Sequence, residues 1–102
     1  GKSAILIGVM ADKEYGLYAD MLGKFIDKAF TVKPDNLRAL DSDVLANVFL
    51  ENGIPAQSFE VLKNGVNAAY SYAKEKNIPL IALGSLYMYR EFVEALHECA
   101  WT

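Results

Sequence analysis

The chain has 102 residues, of which 53% are hydrophobic and 23% charged, and its formal net charge is -3 with a pI near 5.0. This composition is typical of one globular domain with a single core. The acidic balance argues against a nucleic acid partner, which needs a surplus of Lys and Arg on one face. The longest apolar runs are far shorter than the roughly 20 residues that span a bilayer, so we expect no membrane partner and a cytoplasmic protein.

The single cysteine and the single histidine give no sign of a metal site. Cys99 on its own excludes an internal disulfide and a cysteine-rich metal centre. His97 lies two residues before it in a predicted helix, and side chains at that spacing do not share a helix face. We therefore expect Cys99 to be a partly buried apolar residue and His97 to lie at the surface.

Apolar segments alternate with helical periodicity along the whole chain, which predicts repeated β-α units and a parallel sheet. The first strand is "AILIGVM", residues 4–10, whose continuous apolar character is expected of a strand buried on both faces. A helix is predicted over residues 16–26, followed by a second strand at residues 28–33. The predicted core face of that helix consists of Leu17, Met21, Leu22 and Phe25.

The middle of the chain contains clear helix boundaries. Asp41 or Ser42 is a suitable N-cap for a helix over residues 43–51, which the pair Asn52 and Gly53 should end. A short strand at residues 56–60 and a helix at residues 63–76 follow, the latter ending at Asn77. The predicted core residues of the two helices are Val44, Leu45, Val48 and Phe49 in the first, and Val66, Ala69, Tyr70 and Ala73 in the second.

The last unit pairs a strand at residues 79–84 with a helix at residues 86–99. The predicted fold class is α/β, with a Rossmann-like open, mainly parallel sheet of about four strands and helices on both faces. Residues 1–102 should form a single domain, because no linker or low-complexity tract interrupts the pattern. Right-handed crossovers suggest the strand order 3-2-1-4, and ligands of such sheets bind outside the carboxyl ends of the strands.

Two of these carboxyl ends carry polar residues and should be neighbours. The first strand runs into "GVMADKEYG", which contains Asp12, Lys13 and Tyr15, and the fourth runs into Gly84 and Ser85. The second junction has no room for a loop, so the first amides of the following helix should face outward, where they favour an anion. The two junctions together predict a small-molecule site.

Three motifs in this order resemble a known family: "LIGVMADKEY", "VKPDNLRAL" and "LIALGSLYMYREF". They resemble the C-terminal domain of folylpolyglutamate synthase and dihydrofolate synthase, in the Mur ligase superfamily. The resemblance implies an ATP-dependent ligase of folate and one-carbon metabolism that adds L-glutamate to the γ-carboxylate of folate or polyglutamyl folate. In that family ATP first converts the carboxylate into an acyl phosphate, which the glutamate amine attacks.

The chain departs from the family pattern in two ways. It contains no phosphate loop of the type G-x-x-x-x-G-K-[ST], and it has no D-G-A-H-N-P type motif. The resemblance therefore implies that ATP and Mg are bound mainly by an N-terminal domain outside this chain, which is a partner of this one. It also implies a partial C-terminal domain that begins at its second β-α unit, is inactive alone and binds no cofactor tightly.

The resemblance assigns roles to particular residues. Ser85, together with Gly84, matches the turn that holds the incoming glutamate. Arg38 either reaches the cleft or braces its own loop through Asp35. The candidates for lining the cleft are Asp12, Lys13, Tyr15, Arg38 and Tyr87. No catalytic residue and no metal ligand is assigned to this chain.

Two other classes of α/β protein need residues that this chain lacks. A phospho-acceptor receiver needs an aspartate after its third strand and a lysine after its last, where this chain has Phe59-Glu60 and Gly84-Ser85. A dinucleotide-binding protein needs G-x-G-x-x-G after the first strand, and "GVMADKEYG" lacks it. A small-molecule or nucleotide-binding α/β module that stands alone, or an interaction domain without catalysis, remains open, since six tyrosines could form an exposed aromatic patch.

Overall fold

The computed structural model describes residues 1–11 and 15–84 of the chain. Its centre is a sheet of four parallel strands in the order β3-β2-β1-β4. The predicted α/β class and strand order are therefore confirmed. The strands are β1 Ser3–Ile7, β2 Ile26–Val32, β3 Ala56–Phe59 and β4 Leu80–Leu83.

Helices cover both faces of this sheet, as predicted. The α-helices of the described segments are α1 Gly16–Leu22, extended by a 3-10 turn Gly23–Phe25, α2 Ser42–Glu51 and α3 Leu62–Lys76. α1 and α2 share one core cluster with Ile5 and Ile7 of β1, and α3 shares the other with Ala4 and Leu6. No helix in the described part of the chain has the length and apolar character needed to cross a membrane. The predicted helix at residues 86–99 lies outside the described residues.

All five residues of β1 are buried, which explains the uninterrupted apolar run. The strand ends at Ile7, however, whereas the apolar run predicted a strand up to residue 10. The amide of Gly8 still bonds to Leu83 of β4, and from Val9 onward the chain pairs with residues 38–40 instead. Met10 forms an antiparallel bridge with Ala39, and the amide of Leu40 donates a hydrogen bond of 2.9 Å to the carbonyl of Val9.

The predicted core face of α1 is wrong. Leu17, Met21 and Phe25 are 48%, 69% and 57% exposed, and Leu22 alone of the predicted set packs against the core. The helix instead turns Ala19, only 3% exposed, and Tyr18 toward the sheet. Apolar residues lie on both faces of α1, so the helical periodicity of the sequence could not show which face is buried. Ile26, predicted as helical, is the first residue of β2.

The other helices follow their predictions more closely. Asp41 is the N-cap of α2, Gly53 after its end has a φ of 75°, and α3 ends at Asn77 in the left-handed conformation. The predicted core residues Leu45, Phe49, Val66, Ala69 and Ala73 are buried, and Val48 and Tyr70 are half-buried. Val44 is a correction, since it is 42% exposed. It lies at the side of the helix, where the sheet does not reach.

α3 packs very closely on β2 because Gly65 has no side chain. A Cβ atom at Gly65 would lie 2.4 Å from Cγ1 of Val32 and 3.4 Å from Cβ of Phe59. Val32 and Phe59 are the last residues of β2 and β3. The helix therefore rests directly on the carboxyl ends of these two strands.

Candidate functional site

The carboxyl ends of β1 and β4 lie side by side. Ile7 is paired with Leu83 in the parallel register, and the amide of Gly8 donates a hydrogen bond of 3.2 Å to the carbonyl of Leu83. The two chain segments that leave these strands therefore start from one edge of the sheet. This confirms the strand neighbourhood on which the predicted site depends.

A cavity of about 230 Å³ opens at this edge, and we call it the β1–β4 cavity. Among the described residues, none that lines it carries a charged side chain. Ligand pockets for whole small molecules usually have volumes of about 300–1,000 Å³, so this cavity has room for one part of such a molecule. The lining residues are Ile7, Gly8, Val9, Met10, Tyr18, Leu83 and Gly84.

Backbone hydrogen bonds fix the walls of the β1–β4 cavity. The amide of Ala11 donates to the carbonyl of Arg38 at 2.7 Å, and the carbonyl of Val9 accepts from the amide of Leu40. Together with the bond from Gly8 to Leu83, these contacts attach the segment after β1 to β4 on one side and to residues 38–40 on the other. The cavity is thus supported by regular backbone pairing.

Three of the predicted site residues lie in the described part of the chain. Gly84 lines the β1–β4 cavity, where its small size admits a close neighbour. Tyr15 is half-buried and packs against the core beneath α1 and α2. Arg38 lies in a loop that its own amide braces, through a hydrogen bond of 2.8 Å to Oδ1 of Asn36. The two roles considered for the side chain of Arg38, reaching the cleft or bracing the loop through Asp35, stay predictions.

The remaining predicted site residues are Ser85, Tyr87, Asp12 and Lys13, and they lie outside the described residues. Their assigned roles stay predictions. Tyr18 and Met10, in contrast, line the cavity although the sequence reading did not select them. Tyr18 could have been found from its position, since it lies one turn into the helix that follows the segment after β1.

A second and larger depression lies at the carboxyl ends of β2 and β3. It consists of a cavity of about 700 Å³ and an adjoining one of about 320 Å³, which share Lys33 and Glu60. We call the two together the β2–β3 groove. Lys33 and Glu60 directly follow β2 and β3, so the rule that ligands bind at carboxyl strand ends also selects them. The sequence reading overlooked this groove.

Charged and hydroxyl side chains organise the β2–β3 groove. Nζ of Lys33 lies 3.2 Å from Oδ1 of Asp41, the N-cap residue of α2. Thr31 is fully buried, and its Oγ1 donates a hydrogen bond of 2.7 Å to the carbonyl oxygen of Ser42. The hydroxyl of Ser58 donates to that of Ser42 at 2.8 Å. These bonds hold the start of α2 against β2 and β3.

The described residues do not fit the cofactors that the sequence resemblance implies. The segments after the four described strands contain no phosphate-binding glycine loop. Nowhere in residues 1–11 and 15–84 do three or more His, Cys, Asp or Glu side chains group in a way that could hold a metal ion.

A polar contact at the opposite end of β2 perturbs a tyrosine. The hydroxyl of Tyr72 on α3 donates a short hydrogen bond to Oδ2 of Asp27. This hydrogen bond, together with partial burial and the negative charge of Asp27, raises the pKa of Tyr72 above the usual value for tyrosine. Nζ of Lys28 and of Lys76 lie 5.4 Å and 5.3 Å from the centre of the Tyr72 ring. The cluster joins α3 to β2, away from both depressions.

A four-stranded parallel sheet of this order, with helices on both faces and a cavity where the strand order reverses between β1 and β4, defines a Rossmann-like α/β domain. No family model matches the chain, and no curated protein matches it. Solved structures do match it. All those described below are folylpolyglutamate synthases or the enzyme named FolC.

The chain is similar to folylpolyglutamate synthase of Mycobacterium tuberculosis complexed with ADP and AMPPCP, with a TM-score of 0.77, 19% identity and 93% of this chain covered. It is similar to Helicobacter pylori folylpolyglutamate synthetase with a TM-score of 0.72, 18% identity and 96% covered. For E. coli FolC in complex with ADP, without folate substrate, the TM-score is 0.80 at 18% identity and 100% coverage.

The matched regions make up 23% of the two synthase chains from M. tuberculosis and H. pylori and 24% of the E. coli FolC chain. The chain thus spans about a quarter of the length of these proteins. At this level of identity the likeness shows a common fold. The family resemblance that the three sequence motifs indicated is therefore confirmed as a likeness of fold.

Proposed function

We propose that this chain is part of an ATP-dependent amide ligase of the folylpolyglutamate synthase type. The reaction adds L-glutamate to the γ-carboxylate of a folate through an acyl phosphate. In this proposal the carboxyl edge of β1 and β4 forms one side of the cleft in which glutamate and ATP meet. The proposal applies to a longer polypeptide that contains this chain.

The observation that carries the proposal is the parallel pairing of β1 with β4. It brings the start of "GVMADKEYG" and the start of "GSLYMYREF" to the same edge of the sheet. These are two of the three segments on which the family resemblance rests. The third, "VKPDNLRAL", reaches the same place, because Arg38 and Leu40 form hydrogen bonds with Ala11 and Val9. Three segments that are distant in sequence therefore meet where the proposed site lies.

In this proposal Ser85 binds a carboxylate of the incoming glutamate, with its hydroxyl and with the amides that follow it. Hydrogen bonds to an ionised acceptor are stronger than neutral ones, which suits this role. Gly84 lets the ligand approach the backbone. Asp12, Lys13, Arg38 and Tyr87 are proposed to line the cleft, and Tyr15 to support it by packing.

The proposed division of labour follows from what the described residues lack. Since the chain has no G-x-x-x-x-G-K-[ST] loop and its described residues have no metal-binding group of His, Cys, Asp or Glu, phosphoryl transfer is assigned to the remainder of the polypeptide. ATP and Mg would supply the activation of the γ-carboxylate there. This chain contributes the binding of glutamate and the shape of the cleft.

The test is Ser85→Ala in the full-length ligase that contains this chain. We expect the KM for glutamate to rise about 5- to 150-fold, equivalent to about 1–3 kcal/mol, with the KM for ATP nearly unchanged. Ser71→Ala is the matched control, because Ser71 lies exposed on α3. Both KM values and the melting temperature should be measured for the two variants.

A Ser85→Ala enzyme that is less stable but keeps its KM for glutamate would show that Ser85 only caps a helix. The alternative of a binding module without catalysis has a separate test. Calorimetry on the 102-residue chain should show only weak ATP binding if the ligase proposal holds. Micromolar affinity for ATP would instead favour a nucleotide-binding module that stands alone.

A further inference from the structure

The pair Asn-Gly occurs twice in the chain, as Asn52-Gly53 and as Asn64-Gly65. In both places a charged residue precedes the asparagine and a β-branched apolar residue follows the glycine. Asparagine before glycine deamidates readily, because glycine has no side chain that hinders attack by its own amide nitrogen. The two pairs are therefore alike in sequence, and their positions in the fold decide which of them reacts.

Asn52-Gly53 forms the exposed C-terminal cap of α2. The amide of Gly53 donates a hydrogen bond of 3.0 Å to the carbonyl of Leu50, and Nδ2 of Asn52 donates one of 2.8 Å to the carbonyl of Val48. The space around Gly53 is open, since a Cβ atom there would meet nothing within 4 Å. Helix ends open at a lower free energy cost than packed interiors. Asn52 and Gly53 can therefore rearrange once these cap bonds break.

Asn64-Gly65, in contrast, is held by the packing of α3 on the sheet. Gly65 is buried, and a Cβ atom on it would lie 2.4 Å from Cγ1 of Val32. Leu62 and Val66 on either side of the pair are also buried in the core. Rearrangement at Gly65 would require the start of α3 to separate from β2 and to expose these side chains to water. The folded chain therefore protects this pair.

We propose that Asn52 is a site of spontaneous deamidation and that the fold protects Asn64 from the same reaction. The amide nitrogen of Gly53 loses its proton and attacks Cγ of Asn52, which closes a succinimide ring. The bond from Cγ to Nδ2 breaks, and ammonia leaves after taking up a proton that replaces the one lost. Water then opens the ring at either carbonyl, which gives aspartate or isoaspartate at position 52. The reaction needs no enzyme and does not depend on the proposed ligase activity.

Both products weaken the end of α2. A carboxylate at position 52 has no N–H for the carbonyl of Val48, and it adds negative charge where the helix dipole is already negative. Isoaspartate also inserts a carbon atom into the main chain just before the segment that leads to β3. In that segment the carbonyl of Pro55 accepts a hydrogen bond of 2.9 Å from the amide of Ala29 on β2. Deamidation therefore loosens the connection between α2 and β3.

The test is incubation of the folded 102-residue chain at mildly alkaline pH, followed by peptide mapping with mass spectrometry that distinguishes aspartate from isoaspartate. We expect Asn52 to deamidate at least about tenfold faster than Asn64, because its local opening costs less free energy. In denaturant the two rates should agree within about threefold, since the protection of Asn64 is then lost.

Three results would overturn the proposal. The first is a rate at Asn52 in the folded chain that does not exceed the rate at Asn64. The second is a difference between the two sites that persists in denaturant, because sequence and not structure would then be its cause. The third is aspartate without isoaspartate at position 52, which would indicate direct hydrolysis without a succinimide.

A variant of the cap tests whether it controls the rate. The amide of Ile54 donates a hydrogen bond of 3.0 Å to the carbonyl of Phe49, and both side chains belong to one core cluster. Ile54→Val removes one methyl group from this contact. It should speed the deamidation of Asn52 at least about twofold and leave that of Asn64 unchanged. An unchanged rate at Asn52 would show that the cap does not control the reaction.

The effect of the product is tested by the same substitution at opposite ends of two helices. Asn52 is the C-cap of α2, whereas Asn64 lies in the first turn of α3. Negative charge is unfavourable at the former and favourable at the latter. Asn52→Asp should lower the melting temperature by about 4–8 °C, and Asn64→Asp should not lower it. An unchanged melting temperature of Asn52→Asp would contradict the loosening of α2. No outcome alters the Ser85 experiment on glutamate, so the two proposals can fail separately.

Discussion

The two halves of the sheet's carboxyl edge differ in size, charge and support. The β1–β4 cavity has a volume of about 230 Å³, and its lining within residues 1–11 and 15–84 is uncharged and joined by backbone hydrogen bonds. The β2–β3 groove is larger, contains Lys33, Asp41 and Glu60, and is held by the hydroxyls of Thr31 and Ser58. Both lie where parallel sheets bind ligands. Position in the fold therefore identifies an edge, and the side chains decide what each half can bind.

The place of each strand in the sheet does not explain this difference, because each half combines one inner and one edge strand, β2 with β3 and β1 with β4. No residue of β3 or β4 is fully buried, whereas the last residues of β1 and β2 are buried. The difference lies in the residues that follow the strands, which are Lys33 and Glu60 after β2 and β3 and Gly8 and Gly84 after β1 and β4.

The largest expected effect on stability is that of Gly65→Ala, which tests the support of the β2–β3 end. The new Cβ would lie 2.4 Å from Cγ1 of Val32, so α3 must move away from the ends of β2 and β3. We expect a loss of about 1–3 kcal/mol in the free energy of unfolding, since overpacking outweighs the helical preference of alanine. Chemical denaturation measures it. Gly16→Ala is the control, because a Cβ there meets no atom within 4 Å. Equal stability of the two variants would contradict the close packing.

Thr31→Val tests the hydroxyl support of the β2–β3 end. The substitution keeps the shape of the side chain and removes the buried hydrogen bond to the carbonyl of Ser42. We expect about 1–2 kcal/mol of destabilisation, against about 0.5–1 kcal/mol for Ser58→Ala, whose bond is only partly buried. A Thr31→Val chain as stable as the parent would show that packing alone holds α2.

Tyr72→Phe provides a reference away from both depressions, and its effect should depend on pH. Because Asp27 raises the pKa of Tyr72, the folded chain holds the phenolic proton more tightly than the unfolded chain does. The hydrogen bond should contribute about 1 kcal/mol below about pH 10, and this contribution should vanish as the pH rises through the folded pKa. The free energies of unfolding of the parent and of Tyr72→Phe, measured from pH 7 to pH 11, test this expectation. A stability difference between the two chains that grows with pH would contradict it.

The smallest expected effect is that of Lys33→Met. The ion pair of Lys33 with Asp41 joins side chains that are 45% and 69% exposed, so its contribution should not exceed about 0.5 kcal/mol and should disappear in high salt. The exposed Lys24, in the 3-10 turn after α1, supplies the control variant Lys24→Met. A loss well above that of the control would mean that charge supports the β2–β3 end as strongly as its hydroxyls do.

The sequence alone predicted the features that depend on residues close together in the chain. The ends of α2 and α3 were predicted at Gly53 and Asn77, because these residue types tolerate the left-handed conformation that ends a helix. The four strands were predicted from the alternation of β and α patterns, and their order was the one expected of a Rossmann-like sheet. A cavity lies at the edge between β1 and β4, where the sequence predicted a site, and Gly84 lines it, but the binding roles of the site residues stay predictions.

Only the tertiary structure decided which side of α1 is buried, where β1 ends, how closely α3 approaches β2, and that Lys33 and Glu60 face one groove. Each of these depends on atoms far apart in the sequence. Leu17 and Ala19 satisfy helical periodicity equally well, and the sheet beneath them selects Ala19 because α1 must lie close to it. Local patterns determine which elements form, whereas the packing of one element on another determines which residues they bury and which they present to a ligand.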